Sequence, residues 1–214
     1  NLMSVGYFLK ETYRPQIFKK INALEMIMSF KVVFTDRRIQ ILAASFLFLQ
    51  IGWGFYVQSL PLTLTQTFHF SQTEVGAFFI VMSMGFMLTT LFLQNIVLRY
   101  ARPKTIIICA AFTLALLFII CTYFLSVSSQ VVASFFGGGL QILCYTSLLA
   151  WLSEKVNEDE QGVVMGGTVS VFGVAWVINA LLIGVLVNFS LLLPFYIAAL
   201  SILISGIILI PQKR

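Results

Sequence analysis

Charge is what this sequence lacks. Of its 214 residues, 13 are Lys or Arg and 8 are Asp or Glu, 10% in all, where a soluble domain carries about 25%. Together with 59% hydrophobic residues and a mean hydropathy of +0.98, this excludes a soluble globular chain and leaves an integral membrane protein. Histidine is almost missing too. With His69 the only one, HExxH zinc sites, His clusters and Ser/His/Asp sets cannot be assembled, and His69 itself sits in a polar stretch as a solvated surface residue. The three cysteines, Cys109, Cys121 and Cys144, lie inside apolar runs without CxxC spacing, which makes them packing residues rather than redox or metal ligands. No pair of carboxylates lies within an apolar run, so an intramembrane aspartyl protease is excluded. The chain is not an enzyme by these tests, and no metal or other cofactor is called for. Its net charge of +5 is spread over short segments, not gathered into one patch, so nucleic acid is not a partner.

What is present is apolar sequence in blocks of about 20 residues, the length that crosses a bilayer core as helix. Barrel strands would alternate over about ten residues instead. The organising stretch is 151–167, WLSEKVNEDEQGVVMGG. Its acidic turn cannot lie in hydrocarbon, so it marks a water boundary between two spans. Counting outward predicts six spans: 39–64, 75–98, 105–125, 130–152, 163–187 and 191–210. Pro61 interrupts the first, and an outer loop follows over 65–72. Ser71 and Glu74 form an S-x-x-E capping box before the second, and Pro103 opens the third. Ahead of these, residues 10–38 are basic, with Ile17, Ile21, Leu24 and Met28 at helical spacing. They read as an amphipathic helix on the membrane surface, or as a flexible linker whose periodicity is chance. The opening NLMSVGYFL looks like the tail of an earlier span, which makes the chain part of a longer polypeptide. The expected organisation is therefore a span end and connector over 1–38 and a six-helix domain over 39–214. All 13 basic residues fall on one side of this arrangement, and the positive-inside rule makes that side, with both chain ends, cytoplasmic. A multi-pass protein of the inner (plasma) membrane follows.

Uncharged polar residues recur on three spans. Ser134, Gly138, Gln141 and Tyr145 share one face of the fourth span; Gln50, Trp53, Gly54 and Val57 share a face of the first, with Gln58 beside it; Trp176 and Asn179 are a turn apart on the fifth. Such groups must be satisfied either by neighbouring helices or by a water-filled cavity. Amide plus aromatic in three spans favours the cavity, with Gln50, Trp53, Gln141, Tyr145, Trp176 and Asn179 as its candidate lining. Spans three and six hold little polarity and are expected at the lipid-facing periphery. On the fifth span Gly162, Gly166, Ser170, Gly173, Ala180 and Gly184 form a stripe of small residues, the pattern of close helix packing.

At these residues the chain resembles the C-terminal half of a major facilitator superfamily transporter, nearest to the drug/proton antiporters that include the tetracycline exporters. GYFLKETYRP, with Glu11, Thr12 and Pro15, is similar to the end of the family's sixth helix, and FKVVFTDRRIQILAASFLFLQIGWGFY to the entry of its seventh. SEKVNEDEQGVVMGG is similar to the loop before the eleventh, where an acidic run precedes Gln161 and Gly162. LRYARPK resembles the basic loop motif, keeping Arg99, Arg102 and Lys104 as gating residues but with Leu98 and Ala101 in place of the motif's aspartate and glycine. The resemblance implies an all-α fold, two inverted three-helix repeats that make half of a twelve-helix protein, with substrate held between the halves near mid-membrane. It implies a proton-coupled secondary transporter moving a small organic solute or drug by alternating access, its coupling acids in an N-terminal half that is its partner. The rival readings are a stand-alone six-span homodimeric carrier and a non-transporting receptor or scaffold.

Overall fold

The computed structural model describes residues 33–212. The expectations placed on 1–32, namely the span end, the amphipathic stretch and the Glu11, Thr12, Pro15 pattern, lie outside these residues, as do Lys213 and Arg214.

Helix dominates the described residues because a backbone in hydrocarbon must satisfy its own hydrogen bonds. The helices are α1 (Gln40–Phe68), α2 (Gln72–Tyr100), α3 (Pro103–Tyr123), α4 (Val127–Glu154), α5 (Glu158–Phe189) and α6 (Leu193–Leu209). The first five are long and apolar enough to cross a membrane; α6, at 17 residues, is shorter.

Helix starts follow the sequence signals closely. Ser71 Oγ accepts from the Glu74 N–H at 3.4 Å while a Glu74 carboxylate oxygen accepts from the Ser71 N–H at 2.7 Å, closing the expected capping box. Pro103 occupies the first turn of α3. Two starts had not been foreseen. Ser126 and Ser129 cap α4 reciprocally at 3.1 and 3.0 Å, and a Glu160 carboxylate oxygen accepts from the Asn157 N–H at 3.2 Å at the head of α5.

Two boundaries differ from expectation. The first half of the outer loop expected over 65–72 is helix: α1 runs through Pro61 to Phe68, the His69 N–H donates to the Leu64 carbonyl, and the left-handed φ of 56° at His69 brings the Phe70 N–H to the same carbonyl at 3.1 Å. A proline loses one helical donor, and hydroxyls commonly restore bonding near such breaks in membrane helices. At Pro61 the carbonyl left without its donor is that of Val57; Thr65 Oγ1 instead back-bonds the Pro61 and Leu62 carbonyls at 2.8 and 3.1 Å, as threonines within helices commonly do. The acidic turn is also shorter than it looks. α4 ends at Glu154 and α5 begins at Glu158, so Glu158, Asp159 and Glu160 form the first helical turn of α5, where negative charge complements the helix dipole.

α2 contains a π-turn at Thr89–Leu93, in which the Gln94 N–H reaches five residues back to the Thr89 carbonyl. It adjoins a close crossing of α2 and α4. A methyl on Gly85 would strike the Phe135 carbonyl oxygen, one on Gly138 would lie 2.6 Å from the Met82 carbonyl oxygen, and one on Gly139 would lie 2.5 Å from Thr89 Oγ1. The glycines of α4 thus let α2 approach backbone to backbone.

Each inner helix has two main neighbours. α1 packs on α5 and α6, α4 packs on α2 and α3, and α3 and α6 pack on each other. Among the described residues it is α2 and α5, not α3, whose membrane-length windows bury least, although low polarity suggested α3 and α6 as the peripheral helices. Low polarity marks tight apolar packing as readily as lipid exposure, and Gly206 of α6, set against Ala111 and Phe112 of α3 at 3.3 Å, is an instance. Cys121 and Cys144 are buried, whereas Cys109 is exposed.

Candidate functional site

Asn179 is the centre of the α1–α5 crossing. It is fully buried, and its Nδ2 donates to the Gln50 carbonyl at 3.5 Å. Room for it comes from Gly54, one turn further along α1, where a methyl would collide with the Asn179 amide. This local arrangement leaves two groups of opposite sense without partners: Asn179 Oδ1, an acceptor, and Gln50 Nε2, a donor. Trp176, a turn before Asn179, leans on Phe172 with ring centroids 5.6 Å apart, and its indole N–H also has no partner.

Across the bundle α1 meets α4 through aromatic and hydroxyl groups. Tyr145 packs on Phe46 at 5.5 Å, and Tyr56 hydrogen-bonds Ser134 at 3.1 Å. Gln141 lies buried on α4 with its Oε1 unpartnered. Trp53 belongs to an aromatic core with Tyr56, Phe86 and Phe118 at 5.6, 5.6 and 6.4 Å. Tyr56 in turn stacks on Phe118 at 4.1 Å.

The structure therefore brings Gln50 and Asn179 into contact, links Tyr145 to α1 through Phe46, and sets Trp53 in an aromatic cluster rather than against the amides. Buried hydroxyls that the sequence reading passed over also lack partners: Ser59 and Thr63 on α1 and Ser147 on α4. Their signal was available, since Ser59 and Thr63 stand at i and i+4 on one helix face. A buried polar group without a partner costs about 1–3 kcal/mol, and Gln94 Oε1 on α2 and Gln130 Oε1 on α4 share that condition, so such groups are spread along the bundle.

Basic side chains gather at one end among the described residues, with the acidic head of α5 beside them. Arg38, just before α1, bridges Asp36 at 2.6 Å and Glu160 at the start of α5 at 3.1 Å. The hydrogen bonds from Arg38 hold the Asp36 carboxyl below its ordinary range. The three basic-loop residues have different surroundings. Lys104 Nζ donates to the Ile210 and Gln212 carbonyls at 2.9 and 2.6 Å, closing the C-terminus of α6. Arg99 is exposed at the end of α2, and Arg102 is exposed at the N-cap of α3. Neither Arg side chain has an acidic partner among the described residues. The glycine stripe of α5 also has a defined setting: methyls on Gly162, Gly166, Gly173 and Gly184 would meet open space, so within the described residues that stripe faces no other helix.

The family model described as Major Facilitator Superfamily matches residues 42–214. No curated protein matches the chain, and no solved structure does.

Proposed function

The chain belongs to the Major Facilitator Superfamily, a family of multi-pass membrane transporters of small molecules, and on that premise we propose that it is the C-terminal six-helix half of a secondary transporter. It moves a small organic solute, of the drug-like kind handled by tetracycline-exporter-like antiporters, by alternating access across the inner (plasma) membrane. Both its ends are cytoplasmic. Proton coupling resides in the N-terminal half, since no carboxylate is buried among the described residues.

The observation that carries this reading is the set of buried, unpartnered and uncharged groups on α1, α4 and α5: Gln50 Nε2, Asn179 Oδ1, Gln141 Oε1 and the Trp176 indole N–H. They offer both donors and acceptors to a solute and no charge. Helix pairing supports the fold. Exchanging α1, α2, α3 for α4, α5, α6 turns the α1 contacts with α5 and α6 into the α4 contacts with α2 and α3, and leaves the α3–α6 contact in place. That is the pattern two three-helix repeats produce. α6 is then the sixth span, its 17 residues covering about 25 Å at 1.5 Å each. The sparse burial of α5 and its open glycine stripe fit a second half packed against it.

The test is transport in the intact protein. Gln141→Ala should lower uptake or efflux of the solute by roughly tenfold, the effect of one lost buried hydrogen bond of about 1.4 kcal/mol, with membrane abundance unchanged. Unaltered transport would take Gln141 out of the site.

A further inference from the structure

A cavity of about 310 Å³ opens between α2 and α4, sharing no lining residue with the solute site proposed above. Its walls are Leu88, Leu93, Phe135, Phe136, Leu140 and Leu143, and its floor is Gly85, Thr89 and Gly139. The two glycines supply the depth because they carry no side chains, and the π-turn sets Leu88 and Leu93 at its mouth.

The cavity faces outward. On α4, Ser134 and Tyr145 are turned to α1 by their contacts with Tyr56 and Phe46. At about 100° per residue, Phe136, Gly139 and Leu143 lie on the opposite side of the same helix. At the rim Leu88, Leu93 and Phe136 remain 37, 46 and 56% exposed. The opening therefore lies on the outer surface of the six-helix bundle, on the side of α4 turned away from α1.

The same face of α2 leads to the charged end of the bundle. Ile96 and Tyr100 continue the Leu93 stripe at i+3 and i+7, and both are exposed, Tyr100 most of all. Here Asn95, Ile96, Arg99 and Tyr100 line a second hollow. Among the described residues Arg99 has no carboxylate partner, the ion pairs there belonging to Arg38. From Gly85 to Arg99 the helix rises about 20 Å at 1.5 Å per residue, close to half of a bilayer's roughly 40–45 Å including headgroups.

A hydrocarbon slot that ends, one leaflet's depth away, in an unpaired guanidinium flanked by an amide and a phenol matches one chemistry. The geometry points to a binding site for an anionic phospholipid on the α2–α4 face. One acyl chain fills the slot between Leu88, Leu93, Phe136 and Leu143, reaching to Gly85 and Gly139, and the phosphate sits at Arg99. Neutral phospholipid fits the slot equally well but gains less at its head, because a basic side chain favours net negative charge there.

Native mass spectrometry of the full chain released from detergent, after titration with dioleoyl phosphatidylglycerol or dioleoyl phosphatidylcholine, tests the assignment. Phosphatidylglycerol should be retained preferentially. Arg99→Gln should lower its retention about fivefold, equivalent to the ~1 kcal/mol that one basic residue contributes at an anionic surface, while leaving phosphatidylcholine unchanged; Arg99→Lys should restore most of the preference. Leu88→Trp, which plugs the slot from an exposed position, should lower retention of both lipids. Equal retention of the two lipids by the unaltered protein overturns the proposal. So does an Arg99→Gln variant that binds as before, a Leu88→Trp variant that loses neither lipid, or a dimer whose formation excludes lipid. Should Leu88→Trp fail to fold, the Arg99 pair decides alone.

Discussion

Asn179 and Gly54 show how a single residue pair sets a helix crossing in hydrocarbon. The asparagine is buried because glycine opposite it leaves space, and it donates to a carbonyl because no water competes there. Gly54→Ala should therefore destabilise the protein in detergent by about 1–3 kcal/mol, the usual range for an overpacked core. The loss should shrink in an Asn179→Ala background, where the added methyl meets a methyl and not an amide. Thermal unfolding of the two single variants and the double variant gives the coupling directly; additive losses would show that the two side chains do not share one space. The amides were legible in the sequence, as polar residues that a membrane span does not carry idly. Their contact was not, because it depends on α1 and α5 meeting at that height, which the spacing within either helix cannot specify.

At the scale of elements, the sequence marked helix starts better than helix ends. Ser71 with Glu74 and Pro103 act over three or four residues, and such local hydrogen bonding is visible in a string of letters. The end of α1 is different: Pro61 and the run of Thr and Gln after it suggest a loop, but the helix persists until His69 turns left-handed. The π-turn of α2 has no comparable mark, since Thr89–Leu93 reads as ordinary apolar helix; its place beside Gly138 and Gly139 emerges only when α4 is laid against it. Lys104 likewise changes meaning in three dimensions. Read from the basic loop it is a gating residue, and in the structure it holds two carbonyls at the end of α6. Lys104→Met should speed hydrogen exchange at the Ile210 and Gln212 amides by roughly tenfold to a hundredfold, since a bond from a charged donor contributes about 1.5–3 kcal/mol and local opening sets exchange. Exchange in α3 should be unaffected, and a uniform rise across all helices would instead indicate global loosening.

For the whole molecule, the separation of charge between the two ends is the feature with the widest consequences. Arg38, Arg99, Arg102, Lys104 and the acidic head of α5 share one end, while the Ser71 and Ser126 caps mark turns that carry no Lys or Arg. In the native membrane, a cysteine introduced at His69 should react with an impermeant maleimide from one side only, and one at Lys155 from the other side only. Labelling of both from the same side would contradict the helix order. The burial pattern also belongs to this scale: α2 and α5 keep broad apolar faces uncovered among the described residues, and α5 keeps its glycine stripe open, while α3 and α6 close on each other.

The sequence by itself determined that this is a helical membrane protein, roughly where its helices start, which end carries the basic residues and which polar residues lie within its spans. Each of those follows from solvation: charge stays in water, backbone in lipid must be helical, and a cap is satisfied within one turn. Tertiary structure alone decided which helices are central, that Gly54 makes the room for Asn179, that Lys104 closes α6, and that a slot lies beside the π-turn. These depend on contacts between residues far apart in the chain, where one missing methyl sets how closely two helices approach.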